Sequence, residues 1–210
     1  ERTGLPLYRT NRRRLRNWGA LAILALIISS TINRNYVWRS DIDLWRDALN
    51  QSPESPRSQI NLALALHGRG EMEEAVQGYQ RAMGLALKRN DSRSRENLVN
   101  AQSNMSVLLA SNGNTEFAER ALRGALQIDP NFGPAAINLS HLLIVQQRYA
   151  EAITVIDDAL IAKNFGPGFG AIDKLYYNKG IAMALSGDCL NANLNFNQAA
   201  SLGMTPMRCE

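Results

Sequence analysis

Alanine recurs along this chain at a beat near 34 residues, and each beat carries the same apolar neighbours. Ala75, Ala118, Ala152 and Ala192 hold one position, and Asp41 stands in the same register ahead of them. The separations are 34, 43, 34 and 40 residues, so insertions of 9 and 6 lengthen two of the steps. Four residues after each mark comes a bulky side chain: Trp45, Tyr79, Leu122, Ile156 or Phe196. Seven after it comes a second alanine: Ala48, Ala82, Ala125, Ala159 or Ala199. Spacings of four and seven place all three on one face of a helix. Twelve residues before the last four marks lies a small side chain, Ala63, Ser106, Ser140 or Gly180, on what reads as a preceding antiparallel helix. Small residues there let the two helices approach, while the bulky positions fill the space beside them. Gly70, Gly113 and Gly187 stand five before their marks, where a helix ends in a left-handed residue. Gln147 holds that place in the third unit and predicts a weaker turn. Pro53 and Pro130, twelve after their marks, end second helices.

These hairpins resemble the tetratricopeptide repeat (TPR). The resemblance runs from residue 40 to about 204 and is carried by five marks that hold phase together. It implies an all-α fold: a right-handed α-solenoid of one half-repeat at 40–53 and four repeats at 56–88, 95–130, 132–164 and 172–204, followed by a tail at 205–210. Such a stack binds partners along a groove rather than enclosing an active site. The polar insertion Lys88–Glu96 reads as a solvated helix extension or loop, with a partner-docking element as the alternative. Asn164–Gly170 reads as a turn packed down by Phe165 and Phe169. Its glycines lack the preceding strand and the following Lys-Ser/Thr of a phosphate cradle.

The beat does not extend upstream of Asp41. Residues 18–32 are an unbroken apolar stretch, preceded by Arg9, Arg12, Arg13, Arg14 and Arg16. Carried on to Trp38, with Arg34 snorkelling and Trp18, Tyr36 and Trp38 at the interfaces, residues 18–38 read as a transmembrane helix behind a basic cytoplasmic flank at 1–17. A signal peptide and a buried helix of a soluble protein are the alternatives. The arginine bias puts the N-terminal side in the cytoplasm and the repeats outside: a bacterial inner membrane with a periplasmic TPR domain, or an endoplasmic-reticulum membrane with a lumenal one. The opening Glu1, with no methionine, reads as a piece of a longer protein or a processed form. Net charge is +4, but residues 1–40 contribute about +7 of it, so the repeats are slightly acidic. No basic face marks them for nucleic acid.

Two residues before each small first-helix residue stands an asparagine: Asn61, Asn104, Asn138 and Asn178. In a TPR stack this position is expected to point into the groove. The row resembles the asparagine ladder of the O-linked N-acetylglucosamine transferase repeats, which implies clamping of an extended peptide through its backbone. An amide side chain offers both donor and acceptor for that task. The competing reading is that these asparagines bond neighbouring helices. Arg57, His67, His141, Lys174 and Tyr177 share the groove by register. His67 and His141, the two histidines of the chain, have no nearby cysteine or carboxylate, so no metal or other cofactor is expected. The sequons Asn104-Met-Ser106 and Asn138-Leu-Ser140 fall in helices and are expected to stay unmodified. Cys189 and Cys209 lie within reach if the tail folds back along a last helix about 20 Å long. An extracytoplasmic compartment permits that bridge, and two independent thiols are the alternative.

The junction carries a second likeness. Thr31–Trp38, Leu44–Ala48, Ser52-Pro53, Arg57 and Asn61–Ala63 resemble the membrane-to-repeat junction of the transmembrane-and-TPR O-mannosyltransferases and their bacterial relatives. Their catalytic domain uses a lipid-linked sugar and lies upstream of the last membrane helix. The resemblance therefore implies an acceptor-recruiting or assembly arm with no catalytic residue of its own. A scaffold subunit of a bacterial envelope assembly is the alternative.

Overall fold

The alanine marks are where the helices of each hairpin meet. Ala75, Ala118, Ala152 and Ala192 are all wholly buried, and Tyr79, Leu122, Ile156 and Phe196 are at most 2% exposed. The computed structural model describes residues 7–89, 91–161 and 172–210. Residues 1–6 of the basic flank and the Asn164–Gly170 segment, expected as a turn packed down by Phe165 and Phe169, lie outside the described residues. Among the described residues ten helices follow in order: α1 Leu7–Val37, α2 Asp41–Gln51, α3 Pro56–Gly68, α4 Met72–Leu87, α5 Ser92–Ser111, α6 Thr115–Ile128, α7 Gly133–Val145, α8 Tyr149–Ile161, α9 Ile172–Leu185 and α10 Cys189–Ser201. There is no strand among the described residues. α2 is the half-repeat, and α3–α4, α5–α6, α7–α8 and α9–α10 are the four hairpins.

The first helices touch in succession, α3 to α5, α5 to α7 and α7 to α9, whereas neighbouring second helices do not meet among the described residues. The stack therefore curves with its first helices on the inner face. Ser40 opens α2 by accepting from the Asp43 amide at 3.1 Å, and Ser55 opens α3 from Ser58 at 3.3 Å, with Pro56 pre-set in the first turn. Gly70, Gly113 and Gly187 close the first helices at φ of +84°, +80° and +90°. Gln147 adopts the same left-handed backbone at φ +61°. Its amide donates to the Ile144 carbonyl and that of Arg148 to Leu143, both at 2.9 Å, the pattern made at the glycine turns. The expected weakening is therefore not seen in geometry.

Part of the reason stands next to Gln147. Arg148 forks onto both oxygens of Glu119 in the preceding repeat, at 2.6 and 3.1 Å, and onto both of Glu151, each at 2.7 Å. Arg123 adds contacts to Glu119 at 2.8 Å and Glu151 at 3.2 Å. The Arg148 guanidinium holds both carboxyls below the usual carboxylate range and is itself raised. Paired forks of this kind fix geometry as well as charge.

The polar insertion is partly wound into helix. α5 begins at Ser92 instead of 95, with the Asp91 carboxylate accepting from the Ser94 amide at 2.7 Å. At the far end the tail turns back on α10. Cys189 and Cys209 are joined by a disulfide with Cα atoms 5.2 Å apart, and the Asn193 side chain accepts from the Cys209 amide at 2.8 Å and donates to its carbonyl at 3.1 Å.

α1 differs from all the others. Its Arg16–Val37 portion is 22 residues with a mean hydropathy of 1.3, none of it buried, and it is long and apolar enough to cross a membrane. The helix starts at Leu7, so the basic flank is not separate from it. Arg34 of α1 pairs with Asp47 of α2 at 2.7 Å.

One core side chain is imperfectly matched. Tyr79 is wholly buried, and its hydroxyl has no hydrogen-bond partner among the described residues. Burial pushes that phenol up to about 12. An unpaired buried hydroxyl is costly, so Tyr79→Phe is expected to raise stability by about 1 kcal/mol. Thermal melting checks this; a lower melting temperature would mean the hydroxyl is satisfied.

Candidate functional site on the inner face

The first helices present a continuous surface with no partner from the chain itself. Between α3 and α5 lies a depression of about 420 Å³ lined by Arg57, Asn61, Leu64, Asn97, Asn100 and Asn104, among others. Between α5 and α7 lies a second of about 350 Å³, lined mainly by Val107, Ala110, Asn138, His141, Leu142 and Val145. The surface thus passes from amide-rich between α3 and α5 to apolar between α5 and α7. Arg57, His141 and Lys174 are exposed on it, and His67 is half-buried. His67 and His141 sit on different helices, and no three His, Cys, Asp or Glu side chains cluster as metal ligands among the described residues.

The four asparagines divide into two pairs. Asn138 donates to the Ser103 hydroxyl of the preceding repeat at 3.1 Å. Asn178 is only 7% exposed, and it donates to the Ser140 hydroxyl at 3.0 Å and the Ile137 carbonyl at 3.3 Å. This corrects the expectation for Asn178: its amide ties the fourth repeat to the third and is not presented to the groove. Asn61 and Asn104 make no side-chain hydrogen bond among the described residues and stand half-buried on the lining. The division follows from what each amide finds one repeat back. Asn138 and Asn178 meet serines, but around Asn104 the corresponding residues are Ile60 and Ala63.

Tyr177 has a packing role beside its groove register. It is half-buried, with its ring 5.9 Å from that of Phe196 and tilted by 56°, so it packs the last hairpin. Sequence reasoning had weighed only polar groove candidates and missed the apolar ones. Leu64, Val107, Val145 and Leu185 are 50%, 43%, 65% and 56% exposed along the first helices. The signal was present: each lies one or five residues after the small position of its repeat, on the side turned from the hairpin partner.

Family models for the tetratricopeptide repeat match residues 60–93 and 109–166. No match was found among curated proteins. Several solved structures share the fold. BtubC (BKLC) from P. vanneervenii is 18% identical, with 96% of this chain and 91% of that one covered, at a TM-score of 0.63. The Pseudomonas aeruginosa pilF structure is 18% identical over 86% of this chain and 73% of that one, at 0.56. MamA from Desulfovibrio magneticus RS-1 is 19% identical over 70% and 75%, at 0.53. At these identities the likeness is one of fold alone. The hairpins of residues 60–93 and 109–166 are tetratricopeptide repeats, and the stack from α2 to α10 is a TPR solenoid.

Proposed function

We propose that this chain is a membrane-anchored protein-interaction module that holds a protein segment along its inner face, outside the cytoplasm. One observation carries the reading: the first-helix face is unpartnered and combines free amides at Asn61 and Asn104 with exposed Leu64, Val107, Val145 and Leu185. Amides can pair with a peptide backbone without demanding a sequence, and the apolar positions supply anchor sites. Arg57, His141 and Lys174 flank the same face and would select among segments by charge.

The anchor is Arg16–Val37. At 1.5 Å per residue it reaches about 33 Å, enough for a hydrocarbon core of about 30 Å. The arginines before the apolar run 18–32, against Arg34 and Arg39 after that run, favour a cytoplasmic N-terminal side and periplasmic repeats. In its finest form the reading makes this chain the acceptor-recruiting arm of a larger membrane glycosyltransferase, supported by the resemblance of residues 18–65 at the junction.

Photo-crosslinking side chains at Leu64 and Val107, in native membranes, are expected to trap protein partners. The same probe at Phe117 on α6, exposed under the Arg120 guanidinium, is expected to trap far less. Equal capture from both faces would defeat the groove reading. Alkaline phosphatase fused after Glu210 is expected to be active in a bacterial host, and an inactive fusion would reverse the orientation.

A further inference from the structure

The repeat-to-repeat packing that covers every later hairpin is missing at α2. Trp45 stands in the register of Tyr79, Leu122, Ile156 and Phe196, which are 0%, 2%, 0% and 2% exposed, yet Trp45 remains partly open. Opposite it on α3, Ala65 is also partly open, whereas its counterparts Leu108, Leu142 and Ala182 are 0%, 6% and 0% exposed. Between them runs a cleft of about 720 Å³ whose lining includes Asp41, Ile42, Trp45, Ala65, Gly68 and Arg69. In the later repeats a first helix lies over the matching surface: α3 over α4 and α5, α5 over α6 and α7, and α7 over α8 and α9.

α1 holds that place in chain order but does not fill it. Its end is tied to Asp47, which lies about 160° around α2 from Trp45 at 100° per residue. On the last described helix, by contrast, the chain covers part of its own surface: the tail is fastened to α10 by Cys189–Cys209 and by Asn193. The open end also differs in charge. Asp41 replaces the buried alanine of the other repeats and is exposed in the cleft.

We propose that the α2–α3 cleft docks an amphipathic α-helix of a partner protein, apolar toward Trp45 and carrying a basic residue against Asp41. The occupant takes the role of the missing first helix. Its continuity with the internal repeat interface argues for a helix rather than an extended strand. The lining carries one carboxylate, Asp41, and one cation, Arg69. The Arg69 guanidinium lies 3.7 Å from Glu71, whereas Asp41 has no ion-pair partner among the described residues, and it sets the charge the occupant must bring. This goes beyond the inner-face reading: the cleft shares Asn61 and Leu64 with the α3–α5 depression, but the surface that carries the proposal is the α2 side, Asp41, Ile42 and Trp45.

The test uses the full chain in lipid nanodiscs and a labelled peptide of residues 56–70, the chain's own first-helix sequence. Ala63 lies close enough to α4 for a Cβ at Gly78 to meet its own Cβ at 2.9 Å. Antiparallel pairing then brings residue 67 toward position 75, the counterpart of Asp41. The peptide carrying His67→Lys is expected to bind at least tenfold tighter than the one carrying His67→Glu, by fluorescence anisotropy. Asp41→Ala in the chain should erase that ratio, and Trp45→Glu should abolish binding. Asn104→Ala, in the inner groove, should leave binding unchanged. Thermal melting of each variant confirms that it is folded. No binding of either peptide at 100-fold excess over the chain, or binding indifferent to Trp45→Glu in a folded variant, would overturn the proposal. A dimer of the full chain in sedimentation that Trp45→Glu dissolves would overturn it too, by making a second copy the occupant.

Discussion

Gly180→Val is expected to unravel the last repeat. A Cβ built on Gly180 would lie 2.5 Å from both Cδ1 and Cε1 of Phe196 and 3.1 Å from Cγ, closer than real contacts allow. The Phe196 ring has little freedom to retreat, being 2% exposed with Tyr177 on one side. Overpacking of this kind costs about 3 kcal/mol, and valine adds the χ1 restriction of a β-branched residue in a helix. In a domain of this size that corresponds to a fall of about 10 °C in melting temperature. Because each repeat contacts only its neighbours, the loss should be local. Amide exchange should accelerate across α9 and α10 while α3 and α4 keep their protection. Gly180→Ala should cost less, since alanine's better helix propensity offsets part of the clash. A valine variant with unchanged exchange in α9 and α10 would show that this hairpin has slack the structure does not reveal.

Asn178→Ala is expected to cost about 2 kcal/mol, because it removes donors to Ser140 and Ile137 in a buried setting. Asn61→Ala and Asn104→Ala should stay within about 0.5 kcal/mol, as substitutions without a lost internal bond usually do. Denaturant unfolding of the three variants separates the two pairs. Equal costs at Asn61 and Asn178 would mean that all four asparagines play one structural role.

These contrasts show what could be read from residue order and what could not. The alanine marks, the bulky positions four residues later and the glycine turns depend on local spacing and neighbour contacts. In the four full hairpins all of them reappear as buried side chains and left-handed residues, with Trp45 of α2 the partly open exception. The division of the asparagines needed a contact 35 to 41 residues away, because each amide is decided by the preceding repeat. Serines 103 and 140 were visible in the sequence, but pairing them with Asn138 and Asn178 required the stacking offset between repeats. Gln147 shows the opposite case, a turn whose geometry matches the glycine turns although its residue type does not. Left-handed backbone costs an ordinary residue about 1–2 kcal/mol, and the neighbouring Arg148–Glu119 fork that ties the turn to the preceding repeat is invisible to a local rule. The apolar groove residues were passed over because an isolated exposed leucine or valine is common on any surface. Only their alignment along successive first helices gives them meaning.

The fastened tail has a consequence for assembly. Repeat rods polymerise head to tail when the terminal face of one copy is free to receive the first hairpin of the next, and such contacts grow into open filaments when no rotation closes them. Here Cys209 is held against α10 by a covalent link and two amide hydrogen bonds, so that receiving face is occupied. In an oxidising compartment that link is held, so a second copy could stack on the Asn193 side of α10 only by displacing the chain around Cys209.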